Sequence, residues 1–319
     1  MVRSSKDLSD LHTLDLVGFD YLFDLLHFKS TLTTACPQMK LYDSVDDLRE
    51  YPTAAVPIVV DPGELTKDRL YGYVLSDPGK WRGLFDKFLK SETPNGFSPT
   101  SPVLVQIQGL LQFPRTYDSP DFVHNFGRIF RFREDARTLA ASILFNLTEV
   151  LPPHQRDTSK YGFYQYFGAH LRVAADAVKV EWPNYEEQSG HYLKQAVQHG
   201  LSTIYVATGS VSDMDRFRSD AAKKNCVAVT KEDLLSGDDL AAFNRMSWDQ
   251  HALVDLEVLL KSSQFGGIEQ SSFAWKIAVR RHLLSKKVEF TRGTKGFEDE
   301  FSVMYGEAKW PVFSLAMWP

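Results

Sequence analysis

Tyr164-Gln165-Tyr166-Phe167-Gly168-Ala169-His170-Leu171-Arg172-Val173-Ala174-Ala175-Asp176 is the stretch that decides how this chain folds. Residues 164–171 are aromatic-rich and alternate, with turn signals on both sides, which predicts a strand. Side chains two apart on a strand share a face. His170 and Arg172 therefore point the same way at the strand's C-terminal end, with Asp176 just beyond. In open α/β sheets that end is where ligands bind. A titratable ring, a permanent cation that matches phosphate oxygens in pairs, and a carboxylate suggest a site for a phosphate-bearing ligand. An Arg–Asp ion pair beside a packed histidine is the competing account.

Working outward, strands and helices alternate. Helix 187–199, strand 203–207 (TIYVA), helix 212–224, strand 227–229 and helix 231–235 follow in turn. Helix 248–261, a short segment at 263–267 and helix 272–285 complete the series. This spacing predicts a parallel sheet with helices on its faces. Upstream, the apolar runs 54–60 (AAVPIVV) and 102–107 (PVLVQI) read as buried strands, and 80–89 as an amphipathic helix. Helix 135–150 is stopped by Leu151-Pro152-Pro153, because proline neither donates to nor fits a continuing helix. The domain boundary is placed there: 1–153, then 154–290, then a tail, 291–319, whose aromatic end can pack back on the first domain.

Composition excludes several classes. With 43% hydrophobic and 24% charged residues the chain is globular rather than disordered. Lys+Arg 36 against Asp+Glu 41 leaves a net charge of −5, which argues against a general nucleic-acid binder and against DNA as a partner. Cys36 and Cys226 make neither a disulfide framework nor a zinc knuckle. No metal site gathers enough ligands in the sequence, and no cofactor is expected. MVRSSKDLSD lacks an apolar signal-peptide core, and no apolar run approaches the roughly 20 residues needed to span a bilayer. A reducing, cytoplasmic setting away from membranes follows as the expectation.

Four further constellations can carry chemistry. Thr208-Gly209-Ser210 directly follows TIYVA and would expose backbone N–H groups and hydroxyls to an anion, with Ser212 capping the next helix. Gly266-Gly267-Ile268-Glu269-Gln270-Ser271-Ser272-Phe273 would place Ser271 and Ser272 at a helix N-terminus, with glycines upstream that let backbone approach a ligand. Lys276, Arg280 and Arg281 make that helix basic, largely as a solvated face. Asp46-Asp47-Leu48-Arg49-Glu50 clusters three acids at helical spacing, able to bind a metal, act as general base or hold a guanidinium. Ser44 three residues before Asp47 equally matches a capping box. Last, Arg128, Arg131 and Arg133 interleave with Phe130 and Phe132 and would either grip phosphates and stack on bases or alternate outward on a surface.

HLRVAAD (170–176), IYVATGS (204–210) and FGGIEQSSFAWKIAVRRH (265–282) are similar to the C-terminal half of the GDP-fucose protein O-fucosyltransferase superfamily. Those enzymes carry a His-x-Arg strand end and a Ser-Ser-Phe helix start. The resemblance spans roughly 128–282. It implies an α/β fold of two Rossmann-like domains facing across a cleft, the GT-B arrangement. On that analogy Arg172 and the Ser271/Ser272 region would hold the nucleotide diphosphate of GDP-fucose, with His170, Asp176 and Thr208 nearby. The family's Gly-Gly-x-x-Asn-Gln-Arg-like loop has no counterpart before Phe19-Asp20-Tyr21-Leu22-Phe23-Asp24, so the first domain reads as abbreviated at its N-terminus.

The Asp-Asp-x-x-Glu run at Asp46, Asp47 and Glu50 resembles the fungal arginine-containing cyclodipeptide synthases. That family makes cyclo(Arg-Xaa) dipeptides from aminoacyl-tRNAs for secondary metabolism and requires such a motif for activity. The resemblance implies a transferase with arginyl-tRNA and a second aminoacyl-tRNA as partners, and Asp46, Asp47 and Glu50 as catalytic. A GDP-fucose-using glycosyltransferase is the second reading. A non-catalytic nucleotide- or protein-binding module is the third.

Overall fold

The computed structural model describes residues 17–48, 51–66, 73–75, 77–108, 110–114, 117–159, 161–285 and 297–306. The protein is an α/β chain with parallel sheets, divided into two compact units. The smaller takes in Lys29–Asn125, and the larger is built mainly from Phe126 onward, together with the segment that ends at Phe28.

The smaller unit holds most of α1 (Leu25–Ala35), which begins in the larger one, together with α2 (Pro62–Thr66), α3 (Pro78–Glu92) and most of α4 (Pro120–Phe126). Its strands form two parallel pairs: β1 (Ile58–Val60) with β3 (Val105–Ile107), and β2 (Tyr73–Leu75) with β4 (Leu110–Gln112). The expected strand at 54–60 shortens to β1, because the chain turns through a 3-10 helix at Pro52–Ala54 and Pro57 then precedes the strand. Val59 and Ile107 are exposed, so neither run is the fully buried strand its composition suggests.

The larger unit carries a five-stranded, all-parallel sheet in the order β7-β6-β5-β8-β9. The strands are β5 (Tyr164–His170), β6 (Thr203–Ala207), β7 (Val227–Val229), β8 (Ser262–Ile268) and β9 (Ser302–Tyr305). Between them run α5 (Glu134–Val150), α6 (Ala175–Lys179), α7 (Tyr185–Gln198), α8 (Val211–Ala222), α9 (Lys231–Leu234), α10 (Gly237–Asn244), α11 (Trp248–Leu259) and α12 (Ser272–His282). Every residue of β6 is buried, as a parallel strand covered on both faces requires. Alternation sorts the side chains. Phe167, Ala169, Leu171, Ile204 and Val206 pack with Tyr192, Leu193, Met214 and Phe217 of α7 and α8. Tyr166 and Tyr205 turn to the other face, where their hydroxyls donate to Val258 O at 2.5 Å and Asp255 Oδ1 at 2.7 Å on α11.

Three expectations change here. A Cβ on Gly266 would lie 2.7 Å from Tyr192 Cδ1, and one on Gly267 would lie 2.5 Å from Ala274 Cβ. These glycines let α7 and α12 close on β8; their lost side chains serve packing rather than ligand approach. Arg281, expected on a solvated face, is 1% exposed. Its guanidinium donates to the carbonyls of Leu259, Leu260, Ser262, Ser263 and Phe301 and to Ser302 Oγ, and lies 4.5 Å from the Phe163 ring. It fastens the N-terminal ends of β8 and β9 to the end of α11. The arginine run is also structural. Arg131 pairs with Asp24 at 2.5 Å and Arg133 with Asp135 at 2.6 Å, while Phe130 and Phe132 join Phe19, Phe23 and Phe28 in one aromatic cluster.

Of the expected tail, residues 297–306 are described and supply β9, paired parallel to β8; the remainder lies outside the described residues. Among the described residues no helix is long and apolar enough to cross a membrane.

Candidate functional site

The C-terminal edge of the five-stranded sheet gathers six of the residues singled out from sequence. β5 ends at His170, and Leu171 N–H continues the ladder to Ala207 O at 3.0 Å. Leu171 is buried in the core, so His170 and Arg172 turn together to the opposite side. The backbone of Arg172 is clamped by one amide: its N–H donates to Gln188 Oε1 at 3.0 Å and its carbonyl accepts from Gln188 Nε2 at 2.9 Å. Gln188 is 1% exposed and was not picked from sequence; a glutamine on the buried stripe of α7 was the signal.

Arg172 Nη2 donates to Asp176 Oδ2, four residues on in α6. The ion-pair account is therefore correct as far as it goes. The pair does not use up the guanidinium, since Nε and Nη1 donate to nothing among the described residues and the side chain keeps 17% of its exposure. Asp176 orients the fork and leaves two donor groups for an incoming oxyanion.

On one side lies the turn after β6. Thr208 Oγ1 accepts from Ser210 N–H at 3.3 Å, and Ser210 Oγ caps α8 by accepting from Asp213 N–H at 3.3 Å. The cap is thus Ser210, not the expected Ser212, because the helix starts one residue earlier at Val211. On the other side, after β8, Ser271 Oγ accepts from Ala274 N–H at 3.3 Å and lies 3.4 Å from His170 Nδ1. Ser271 is the N-cap of α12, and Ser272 is exposed at the first helical position. The His170 ring packs on Phe273 at 4.7 Å.

Electrostatics at this edge are tuned by burial. The imidazole of His170 is pulled down to about 3, first by desolvation and then by the Arg172 charge, so it is neutral at physiological pH. Glu269 is 3% exposed and burial raises its carboxyl to about 7; Oε1 accepts Phe297 N–H at 2.7 Å, and Oε2 has no hydrogen-bond partner among the described residues. Lys276, one turn beyond Ser272, is lowered to about 8 by burial and by Arg280. The edge therefore offers one open guanidinium, two helix N-termini and hydroxyls, with a neutral ring among them. Such an arrangement accepts phosphate oxygens. Among the described residues there is no cluster of three or more His, Cys, Asp or Glu suited to a metal ion.

The acidic run belongs to the smaller unit. Asp46 and Asp47 are exposed on a 3-10 helix, Val45–Leu48, rather than on an α-helix. Asp47 Oδ2 accepts the N–H groups of Asp43 at 3.0 Å and Ser44 at 2.9 Å, the reciprocal half of the capping arrangement. Glu50 lies outside the described residues.

No family model matches the chain, and no curated protein matches it. Among solved structures, POFUT1 in complex with GDP is similar with a TM-score of 0.45 and 12% identity, covering 92% of this chain and 85% of that one. POFUT1 in complex with GDP-fucose gives a TM-score of 0.46 at 12% identity over the same shares. Likeness this loose assigns no activity, and the site stands on its own geometry.

Proposed function

We propose that this chain is a transferase whose phosphate-bearing substrate docks at the C-terminal edge of the five-stranded sheet, and that the substrate is an aminoacyl-tRNA. The observation that carries the proposal is Arg172, held by Gln188 and Asp176 with donors to spare, between the Ser210-capped and Ser271-capped helix starts. In this reading Arg172, Thr208 and Ser272 hold the terminal phosphates of the RNA, and His170 orients the Ser271 hydroxyl. The product is cyclo(Arg-Xaa), as the resemblance of the Asp46, Asp47 and Glu50 run implies.

The chemistry is ester aminolysis performed twice. The amine of one aminoacyl group attacks the ester carbon of the other, a C–N bond forms, the C–O bond to the ribose breaks, and the departing hydroxyl carries a proton. The free amine of the resulting dipeptidyl ester then closes the ring in the same way. The reaction needs alignment, a base for the amine proton and a counter-charge for the arginyl guanidinium. The exposed carboxylates of Asp46 and Asp47 are suited to the last two tasks, and Asp47 keeps Oδ1 uncommitted among the described residues.

Incubation with arginyl-tRNA and a mixture of other aminoacyl-tRNAs, followed by mass spectrometry, tests this. An RNase-sensitive cyclic dipeptide containing arginine is expected. Asp47→Asn retains a cap acceptor and removes the charge, so it should abolish product while lowering stability by no more than about a few tenths of a kcal/mol. Absence of any dipeptide with properly charged tRNAs contradicts the proposal. The second reading, transfer from GDP-fucose, is favoured by the pairing of the His-x-Arg strand end with the Ser-Ser-Phe helix start at one edge. Release of fucose from GDP-fucose, with GDP raising the melting temperature, would select it.

A further inference from the structure

We infer that Trp248 is the stacking platform for a purine base of the ligand whose phosphates Arg172 holds; this rests on the phosphate-binding reading above. α11 begins beside the turn that follows β6. Trp248 is its first residue, and its Nε1 lies 3.6 Å from where a Cβ of Gly209 would stand. Trp248 as a residue is 37% exposed at the same sheet edge. An exposed tryptophan against a glycine turn at a strand's C-terminal end offers a flat ring to a ligand rather than to the core.

The ring stands on a fixed base. Ser247 and Gln250 form a capping box at the start of α11. Tyr21 Oη donates to Asp249 Oδ1 at 2.7 Å and lies 2.6 Å from the Ser247 hydroxyl, and Gln250 Nε2 donates to Tyr21 O at 2.9 Å. A clamp of this density on an exposed helix start holds Trp248 in register with the turn beside it.

Spacing fits a nucleotide. In the order β6-β5-β8 the outer two strands are two ladder steps apart, about 10 Å. Arg172 leaves the sheet from the middle strand, Ser272 stands at one side and Trp248 at the other. A nucleotide with its phosphates between Arg172 and Ser272 reaches Trp248 with its base. Stacking on a ring reads no base edge, so it suits equally a free purine nucleotide and the terminal adenosine of an RNA.

The test compares calorimetric affinity and tryptophan fluorescence for GDP, for a short RNA ending in CCA, and for inorganic pyrophosphate, in the wild type, Trp248→Phe and Trp248→Ala. A purine ligand should quench wild-type fluorescence, and Trp248→Phe should bind nearly as well but lose most of that quench. Trp248→Ala should weaken the purine ligand about tenfold or more while leaving pyrophosphate unchanged. Whichever of GDP and the RNA shows this pattern identifies the source of the base. Equal losses for pyrophosphate and purine ligands, or no loss in Trp248→Ala, would overturn the inference and leave the phosphate site intact. If none of the three ligands binds the wild type, the phosphate reading itself fails and the base platform with it.

Discussion

Two arginines at opposite ends of one sheet have opposite fates. At the N-terminal edge Arg281 is enclosed, and its donors meet five main-chain carbonyls and one serine hydroxyl. At the C-terminal edge Arg172 has one carboxylate partner among the described residues and is only partly buried. Parallel strands produce this difference. Their N-terminal ends receive carbonyls from preceding helix ends, which satisfy a cation, while their C-terminal ends open toward helix N-termini, which attract anions. The same side chain is therefore a rivet at one edge and, in the proposed reading, a receptor at the other.

The sharpest way to break this contrast is to remove each arginine in turn. Arg281→Met leaves several buried carbonyls without donors and should cost about 3–5 kcal/mol in urea-induced unfolding, by analogy with broken buried ionic networks. Arg172→Ala should cost less, about 1–3 kcal/mol, because it takes the cation from a single largely buried carboxylate, Asp176, rather than the donors from several carbonyls. Equal losses would erase the distinction between rivet and receptor.

Titration sharpens it next. Glu269 holds its proton up to about 7 in the folded chain but loses it near 4.5 when unfolded. The folded state thus binds more protons between those values, and stability contributed by Glu269 falls as pH rises from 4.5 to about 7, then levels. Glu269→Gln should flatten that slope in a series of melting curves. His170 works in the reverse sense. Its folded value of about 3 lies below 6.5, so the unfolded chain takes up the proton first and stability falls as pH drops below 6.5. His170→Asn should remove this acid-side loss. Arg281, still near 10, gives the opposite edge no comparable slope across that range.

The smallest effect concerns the other unit. Asp47→Ala removes an acceptor for two N–H groups and should lower stability by up to about 1 kcal/mol, whereas Asp47→Asn should lower it by only a few tenths, as judged by denaturant midpoints.

Much of the larger unit was legible in the sequence, because buried parallel strands leave short apolar runs: residues 203–207 and 227–229 coincide with β6 and β7. The shared side taken by His170 and Arg172 was legible for the same reason, since period-two alternation fixes it. Other features were not. β9 follows α12 through residues with no strand-like alternation, and its place beside β8 is a matter of tertiary pairing. Arg281 looks like any helix cation until the carbonyls of three other segments converge on it. The serine that caps α8 was missed by two positions, because Ser210 and Ser212 both match the pattern and only backbone geometry chooses between them. Gln188 and Glu269 act through contacts with residues 16 and 28 positions away, which no local motif encodes.

The most direct test is a calorimetric titration of inorganic pyrophosphate into the wild type and Arg172→Ala at matched ionic strength. Saturable binding by the wild type, with affinity at least tenfold weaker in a folded Arg172→Ala, is the predicted result. Unchanged affinity in Arg172→Ala, or no binding by the wild type, would contradict the assignment of the C-terminal edge as a phosphate site.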